Sequence, residues 1–275
     1  MIRYPDTYFN VKDTLTCGQV FRSTPSNGGF LCFALDHAAH VRNDGGYAYI
    51  DGDDDDFWSE YFDLATDYEK ITKSVIRCGV DKVVKACDAY KGIRILKQDA
   101  YEAFISFIVS QNNNIPRIKS IIEKLCLTYG VQKTFQGEVY HAFPTAIELE
   151  KATTKDLELL GLGYRAEYIS GAISGLSSGL IDIERLSSLS SGELKKELLS
   201  VKGVGNKVAD CTLLFGFHKT DAFPVDTWIE KLYREDFSGT LTDRKKISSY
   251  FVDLFGGYSG IIQQYLFHAK RNGVL

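Results

Sequence analysis

Short apolar stretches bounded by turn residues mark the first third of the chain and predict β-strands. The stretches rich in apolar residues are 30–35, 40–42 and 47–50. The turn sequence Asn-Asp-Gly-Gly at 43–46 separates the last two, which is typical of a β-hairpin. Residues 57–62 and 67–78 show helical spacing instead. The pattern predicts that residues 1–92 form an antiparallel β-sheet lobe covered by one or two helices.

From Asp99 onward the apolar residues recur three and four positions apart, and the pattern predicts helices to the end of the chain. The predicted helices are 101–109, 115–129, 154–159, 206 onward, 227 onward, 247–255 and 260–270. The fold class is therefore predicted to be α+β, with the sheet lobe followed by a mostly helical part. We divide that part into a helical lobe at 93–200 and a C-terminal unit at 201–275.

The sequence Val-Lys-Gly-Val-Gly at 201–205 interrupts two predicted helices. Gly203 and Gly205 permit a tight turn, and the helix that follows begins with free N–H groups, which suit an anion. Lys207 lies in the first turn of that helix, where the helix dipole disfavours a cation. Asp226 begins another helix. The pattern fits a reactive site, or an ordinary helical hairpin in which Lys207 is solvated and Asp226 only caps a helix.

Composition narrows the class of protein. The 275 residues are 44% hydrophobic and 25% charged, which are ordinary globular values. There is no apolar run of eighteen residues and no apolar core of a signal peptide near the start, so an intracellular protein without a membrane partner is expected, in cytoplasm, nucleoid or nucleus. The cysteines form no C-x-x-C pair, which argues against a zinc site or a disulfide framework. They are Cys17, Cys32, Cys78, Cys87, Cys126 and Cys211.

The net charge of −4 is unusual for a protein that binds nucleic acid, because phosphate neutralisation dominates such affinity. Residues 51–70 contain nine acidic side chains and one basic side chain, a local charge of −8, so the rest of the chain carries +4. An acidic patch on one lobe leaves a basic face elsewhere. A solvated acidic loop on a protein without a nucleic-acid partner fits the same composition.

The hairpin at 201–210, followed by Pro-Val-Asp at 224–226, resembles the helix-hairpin-helix DNA glycosylases. Lys207 and Cys211 resemble the 8-oxoguanine DNA glycosylase/lyase branch. The resemblance implies that Lys207 is the nucleophile and that Asp226 stabilises the sugar cation. It also implies that the backbone of Gly203, Val204 and Gly205 binds a DNA phosphate, with a structural cation on nearby carbonyls as a further expectation. No cysteine follows Cys211, so no iron–sulfur cluster is expected.

Two further segments resemble parts of this family that contact DNA. The sequence Asn-Asn-Asn-Ile-Pro-Arg at 112–117 resembles the family's N-N-N-I-x-R segment. There the first asparagine, here Asn112, enters the space left by the flipped base, and the arginine, here Arg117, contacts the orphaned cytosine. Tyr164 and Arg165 follow two glycines and are expected to be exposed at the tip of a turn, where they wedge into a base step and reach a base edge or phosphate.

The resemblance also supplies a base-binding pocket. In the family's G-Q-x-F segment, here residues 18–21, the carbonyl of Gly18 accepts a hydrogen bond from N7–H of oxidised guanine; a plain strand bulge is the alternative. Gln263 and Phe267 are four apart and share a helix face, from which they contact the purine edge and ring. Cys211 is four residues after Lys207, and an ionised thiol there forms a dipole with the ammonium. A buried, inert cysteine is the alternative.

Two positions depart from the animal members of the family. A histidine that binds phosphate and the aspartate that orients it correspond here to Trp228 and Lys270. The contact with phosphate is therefore expected to come from the indole N–H of Trp228 or from the Lys270 ammonium.

Three functions are compatible with the sequence. The favoured one is a monomeric, bifunctional 8-oxoguanine glycosylase and abasic-site lyase that acts on damaged double-stranded DNA. The second is a monofunctional glycosylase for alkylated bases, which uses water and an aspartate and generally lacks the hairpin lysine. The third is a helix-hairpin-helix module that binds DNA without catalysis, for which Asp226 and the Gly18 segment have no use.

Overall fold

The computed structural model describes all of residues 1–275, beginning with a five-stranded antiparallel sheet. Its strands are β1 (Ile2–Pro5), β2 (Ser23–Ser26), β3 (Gly29–Ala34), β4 (His37–Asp44) and β5 (Tyr47–Gly52), in the spatial order β1-β5-β4-β3-β2. Asp44 pairs with Tyr47, and Gly45 and Gly46 both have positive φ, +55° and +84°. Two such residues form the turn that matches strand twist, so the predicted hairpin is confirmed.

Two helices cover this sheet, α1 (Val11–Thr16) and α2 (Asp55–Tyr61). They bury Leu15 and Trp58 completely in a core of 15 residues that belongs to the sheet lobe. The sequence pattern predicts α2 and misses α1. Gly18 lies just beyond α1 with a φ of +90°, so it follows a helix and does not form a bulge in a strand.

The rest of the chain is mainly helical, as predicted. The helices are α3 (Tyr68–Ile76), α4 (Asp81–Tyr90), α5 (Ala100–Val109), α6 (Ile115–Tyr129), α7 (Ala146–Leu149), α8 (Thr154–Leu157), α9 (Arg165–Ser177), α10 (Ile183–Ser187), α11 (Ser191–Ser200), α12 (Asn206–Cys211), α13 (Thr227–Asp236), α14 (Arg244–Phe255) and α15 (Ser259–Arg271). A second core of 53 buried residues joins them. The helices α3 and α4 contribute to this larger core. None of the helices is long and apolar enough to cross a membrane.

One part of the helical prediction is wrong. Strands β6 (Gln132–Phe135) and β7 (Glu138–His141) form a two-stranded hairpin within the stretch predicted to be helical throughout. Its turn consists of Gln136 and Gly137, which have φ values of +48° and +84°. The hairpin docks beside Gly130, where a Cβ atom would lie only 2.0 Å from the carbonyl oxygen of Ala142. Strands this short depend on such tertiary contacts, which periodicity does not report.

A buried ion pair ties the sheet lobe to the helical part. Glu102 on α5 accepts a hydrogen bond from the backbone N–H of Leu35 at 2.6 Å. Arg22 donates to the carbonyls of Leu35 at 2.9 Å and His141 at 2.6 Å, and lies 3.5 Å from the Glu102 carboxylate. Burial raises the pKa of the Glu102 carboxyl. The pair therefore holds four segments together, and each member depends on the other for compensation of its charge.

Arg22→Met is expected to lower the free energy of unfolding by about 3–5 kcal/mol, because it leaves the Glu102 carboxylate buried without its cation. Urea denaturation measures the loss. Arg185→Met is the matched control, since Arg185 pairs with Glu197 at 3.2 Å and both side chains are 47% exposed. That exposed pair is expected to contribute less than about 1 kcal/mol. Equal losses in the two variants would contradict the structural role given to Arg22.

Candidate active site

The hairpin between α11 and α12 requires glycine at position 203, because a residue with a Cβ atom does not fit there. Gly203 has a φ of +87°, and a Cβ atom there would lie 2.2 Å from the ring of Tyr168. Gly205 precedes α12 without a side-chain cap. The backbone N–H groups of Gly203 and Gly205 have no backbone acceptor. The first turn of α12 therefore presents free donors at its positive end, as an anion site requires.

Val204 does not share this property. Its N–H donates to the carbonyl of Val201 at 3.0 Å, and its side chain is buried in the helical core. The predicted contribution of Val204 to phosphate binding is therefore corrected: the donors free for an anion are those of Gly203, Gly205 and the start of α12.

Lys207 is half-buried and is held from a neighbouring helix. Its Nζ lies 3.0 Å from the hydroxyl of Ser110, which follows α5 and itself donates to the Phe107 carbonyl at 2.8 Å. Because that hydroxyl donates elsewhere, it accepts from Lys207. The Nζ also lies 5.0 Å from the centroid of the Phe107 ring. These contacts fix the amine against the wall of a cavity, so the alternative of a freely solvated lysine does not describe it.

Asp226 is a helix cap, and it also faces the same cavity as Lys207. Its Oδ1 accepts hydrogen bonds from the backbone N–H groups of Trp228 and Ile229, both at 2.9 Å. Both bonds go to one oxygen, and Oδ2 has no donor within the protein. The cap fixes the carboxylate in place and leaves Oδ2 free to interact with a substrate. The cap and the catalytic interpretations are therefore compatible.

The predicted pocket residues come together around one small cavity of about 50 Å³. Its lining includes Gly18, Lys207, Cys211, Asp226, Gln263 and Phe267. An adjoining groove of about 570 Å³ is shared by Lys207, Asp226 and Phe267 with Asn112, Tyr164 and Gly205. Ligand sites usually exceed roughly 300 Å³. A base therefore enters only when the walls of the small cavity move apart.

Gln263 and Phe267 form one wall, on consecutive turns of α15. The Gln263 amide donates to the Pro224 carbonyl at 3.2 Å and accepts from Gln264 at 2.9 Å. A carboxamide has two N–H donors and two lone pairs, so one of each remains for a ligand. Gly18 forms the facing wall: a Cβ atom there would lie 3.5 Å from the Phe267 ring.

Cys211 lines the cavity as a neutral thiol. Burial raises the pKa of this thiol to about 11, although the Lys207 ammonium lowers it in part. At neutral pH the sulfur is therefore protonated. The predicted thiolate–ammonium dipole is wrong for the free protein, and the alternative of a buried thiol fits instead.

Tyr164 is exposed and Arg165 is buried, whereas the sequence predicts that both are exposed. Tyr164 is 52% exposed at the edge of the groove, whereas Arg165 is only 4% exposed. The Arg165 guanidinium donates to the carbonyls of Gln111 at 2.7 Å and Asn112 at 2.9 Å. These carbonyls follow the end of α5 and need donors. Arg165 thus supports the backbone of Asn112, and the prediction of an arginine exposed at the tip is wrong.

The asparagines of the segment 112–114 have different roles in the structure. Asn112 is exposed on the groove with a φ of +45°, and Asn114 is the cap of α6, accepting from the Arg117 N–H at 3.0 Å. Arg117 is exposed, and its guanidinium lies 3.3 Å from the Gly161 carbonyl. Arg117 is therefore available to DNA, and the capping role falls on the third asparagine.

Comparison with known families decides the class. Residues 105–255, more than half of the chain, match the sequence model of the HhH-GPD superfamily of base excision DNA repair proteins. The chain belongs to that superfamily. Residues 1–104 of this glycosylase match the 8-oxoguanine DNA glycosylase N-terminal domain.

Individual relatives agree with this assignment. The probable N-glycosylase/DNA lyase of Methanothermobacter thermautotrophicus is 34% identical over 68% of this chain and 67% of that protein. The N-glycosylase/DNA lyase of Saccharomyces cerevisiae is 38% identical over 54% of this chain, but the match spans only 42% of the yeast protein. The Clostridium acetobutylicum 8-oxoguanine glycosylase/lyase, solved with DNA containing cytosine opposite to 8-oxoG, has a TM-score of 0.93 and 37% identity, covering 98% of this chain and 93% of that one. The resemblance drawn from the sequence is confirmed.

The structure distinguishes between the two residues of this glycosylase that were expected to contact phosphate, Trp228 and Lys270. Lys270 is buried, and its ammonium lies 2.8 Å from Glu235 and 2.6 Å from Asp236. A lysine that is held by two carboxylates is not free for a phosphate, so the expectation for the Lys270 ammonium is wrong. Trp228 is 38% exposed and directly follows the Asp226 cap region. Of the two expected contacts, only the indole of Trp228 remains open.

Sequence reasoning misses several residues that shape the site of the glycosylase. Ser110 and Phe107 hold Lys207, Pro224 holds Gln263, and Tyr168 lies against Gly203. Two of these carry a weak signal in the sequence. Ser110 immediately precedes the Gln-Asn-Asn-Asn segment, and Pro224 lies two residues before Asp226. Phe107 and Tyr168 are indistinguishable from ordinary core residues before the fold is known.

Proposed function

We propose that the protein excises 8-oxoguanine from duplex DNA with Lys207 as the nucleophile and then nicks the abasic strand. The observation that carries this proposal is the shared cavity, which Lys207 and Asp226 line together with Gly18, Gln263 and Phe267. An amine and a carboxylate that line one cavity provide both the nucleophile and the stabilising charge that N-glycosidic cleavage needs.

The damaged nucleotide reaches this cavity by leaving the base stack. A base inside duplex DNA is inaccessible to Lys207, so it must be extruded. We assign three contacts to the extruded base: the carbonyl of Gly18 accepts from its N7–H, Gln263 contacts its Watson–Crick edge and Phe267 stacks on its ring. Undamaged guanine has no hydrogen on N7. Its N7 lone pair would face the Gly18 carbonyl oxygen, and two acceptors facing each other are unfavourable in a buried site.

The chemistry follows from the two reactive groups. The Lys207 ammonium first gives a proton to Asp226, and the resulting amine attacks C1′. A C–N bond forms while the bond from C1′ to the base breaks, and the base leaves with a proton. The sugar ring then opens at O4′ to give a Schiff base between Lys207 and C1′. Loss of a proton from C2′ expels the 3′ phosphate by β-elimination. Asp226 stabilises the positive charge on the sugar and carries protons between these steps.

The DNA backbone contacts are assigned to the free donors around the cavity. We assign a phosphate to the N–H groups of Gly203 and Gly205, because these groups have no acceptor inside the protein. Asn112 and Tyr164 border the groove, and we assign them to the gap left by the extruded base. The indole of Trp228 is assigned to a neighbouring phosphate.

A structural cation at the hairpin would have only backbone carbonyl oxygens as ligands. The structure contains no cluster of three or more His, Cys, Asp or Glu side chains that could hold a metal ion. The Val201 carbonyl in the turn already accepts from Val204. A cation there remains a prediction, and no step of the reaction depends on it.

Borohydride trapping tests the proposed function. A duplex that contains 8-oxoguanine opposite cytosine is expected to yield a covalent protein–DNA complex, because borohydride reduces the Schiff base to a stable amine. The undamaged duplex is the control and is expected to yield none. Base release without trapping would instead support a monofunctional glycosylase, and binding without either would support a non-enzymatic DNA-binding protein.

The enzyme is expected to prefer cytosine opposite the lesion, and Arg117→Ala is expected to weaken this preference by about tenfold to hundredfold. Arginine has donors and no acceptor, which suits the adjacent acceptors N3 and O2 of an unpaired cytosine. Base-release rates with each of the four bases opposite measure the effect. Lys124→Ala, at an exposed position on the same helix, is the control. Equal rates for all four bases in the unmutated protein would contradict the role of Arg117.

A further inference from the structure

The last residue of α15, Arg271, links the two walls of the base cavity without lining it. Its guanidinium donates to the carbonyl of Thr16 at 2.8 Å, across 255 positions of sequence. Thr16 ends α1 and lies two residues before Gly18. The same guanidinium lies 5.6 Å from the centroid of Phe267, one turn earlier on α15. Arg271 therefore touches the segment that carries one wall and the side chain that forms the other.

The surroundings of Arg271 argue against an ordinary ion pair. It makes no salt bridge with any carboxylate. Its NH1 atom is buried, has no hydrogen-bond partner and lies 3.6 Å from the position of a Cβ atom on Gly18. The neighbouring thiol of Cys17 is neutral, because burial raises its pKa to about 12. A buried nitrogen with unused N–H donors is costly, so the location of NH1 beside Gly18 calls for a function.

A second contact shows that α1 is aligned on α15 at two points. His268, one turn before Arg271, is buried with its Nε2 atom 3.5 Å from the Asp13 carboxylate on α1. The carbonyl end of a helix favours cations and needs donors for its last carbonyl groups. Arg271 satisfies this need at Thr16, immediately before the chain turns into Gly18 with its φ of +90°. The position of the Gly18 carbonyl thus depends on where Arg271 holds the end of α1.

We propose that Arg271 is a positioning residue that sets the gap between Gly18 and Phe267 and thereby determines how well the enzyme recognises the oxidised base. This proposal rests on the proposed base-excision function. It assigns Arg271 to base recognition and not to strand cleavage, because Lys207 and Asp226 receive no contact from it. A preformed abasic site has no base, so its cleavage does not require the gap that Arg271 controls.

The test compares two activities of each variant: release of 8-oxoguanine from a duplex, and cleavage of a duplex with a preformed abasic site. Arg271→Met keeps an unbranched side chain and removes all donors. It is expected to lower base release by about 10–100-fold, since small misplacements of a binding group have effects of that size. Abasic-site cleavage is expected to stay within about twofold. Arg271→Lys keeps one donor for Thr16 but not the planar fork, and is expected to lose less.

Arg77→Met is the control, because Arg77 follows the last residue of α3 and its exposed side chain makes no hydrogen bond or ion pair in the structure. A parallel loss of both activities in Arg271→Met, or no loss of base release, would overturn the proposal. If Arg271→Met does not fold, the ratio of the two activities in Arg271→Lys decides, and an unchanged ratio overturns it. Failure of the unmutated protein in both assays would instead count against the proposed function.

Discussion

Lys207→Gln is expected to abolish covalent trapping and to lower base release by about 10³-fold or more, as removal of a catalytic nucleophile does in other enzymes. Glutamine has an amide that is not nucleophilic, yet it can still donate to the Ser110 hydroxyl that holds Lys207 at 3.0 Å. The pocket is therefore expected to stay intact. Single-turnover rates on 8-oxoguanine duplex and equilibrium binding of the same duplex separate chemistry from affinity, and affinity is expected to change little.

Lys202→Gln is the matched control for that experiment. Lys202 belongs to the same hairpin, and its side chain is 76% exposed beside Glu167. It has no contact with the cavity, so Lys202→Gln is expected to keep trapping and base release, with at most weaker binding. Strand cleavage that persists in Lys207→Gln would show that another amine is the nucleophile.

Asp226→Asn is expected to lower the rate of base release by about 10²–10³-fold with little loss of DNA affinity, because the carboxylate acts mainly on the charge that develops in the transition state. Asparagine is as good a helix cap as aspartate. The hydrogen bonds from Trp228 and Ile229 to Oδ1 are therefore expected to survive in this variant. The change removes the charge and leaves the fold of α13 in place.

Asp226→Ala separates the two roles of this residue. It removes both the charge and the cap, and is expected to lower the free energy of unfolding by about 1 kcal/mol in addition to the loss of rate. Thermal or urea denaturation measures that difference between the alanine and asparagine variants. Full activity in Asp226→Asn would show that the residue is only a cap.

The sequence predicts those helices and strands that are specified by residues close together in the chain, through a turn or through regular apolar spacing. The Gly45-Gly46 turn fixes the β4–β5 hairpin, and long segments with apolar residues at helical spacing give α5, α6 and α15. The six residues of α1 have no such pattern: two of them are threonines, and the helix is stabilised by packing of Leu15 and Val11 into the core of the sheet lobe. The β6–β7 hairpin is missed for the same reason, since its contacts lie across the chain and not along it.

Which residues meet at the site follows from the resemblance, but their environment does not. Gly18, Lys207 and Asp226 are distant in sequence, and the structure brings them to one cavity as expected. Sequence gives no measure of burial, and burial decides the state of the Cys211 thiol. Nor does it show that Arg165 turns inward to the carbonyls of Gln111 and Asn112, since an arginine beside two glycines is equally compatible with an exposed turn.

Identification of the trapped residue tests most directly whether the amine of Lys207 bonds to C1′ of the damaged nucleotide. The complex formed with 8-oxoguanine duplex and borohydride is digested with protease and nuclease, and mass spectrometry locates the peptide that carries the reduced sugar. The modification is expected on Lys207, in the peptide that contains the 201–210 hairpin. Modification of another lysine or of the terminal amine, with Lys207 unmodified, would contradict this expectation.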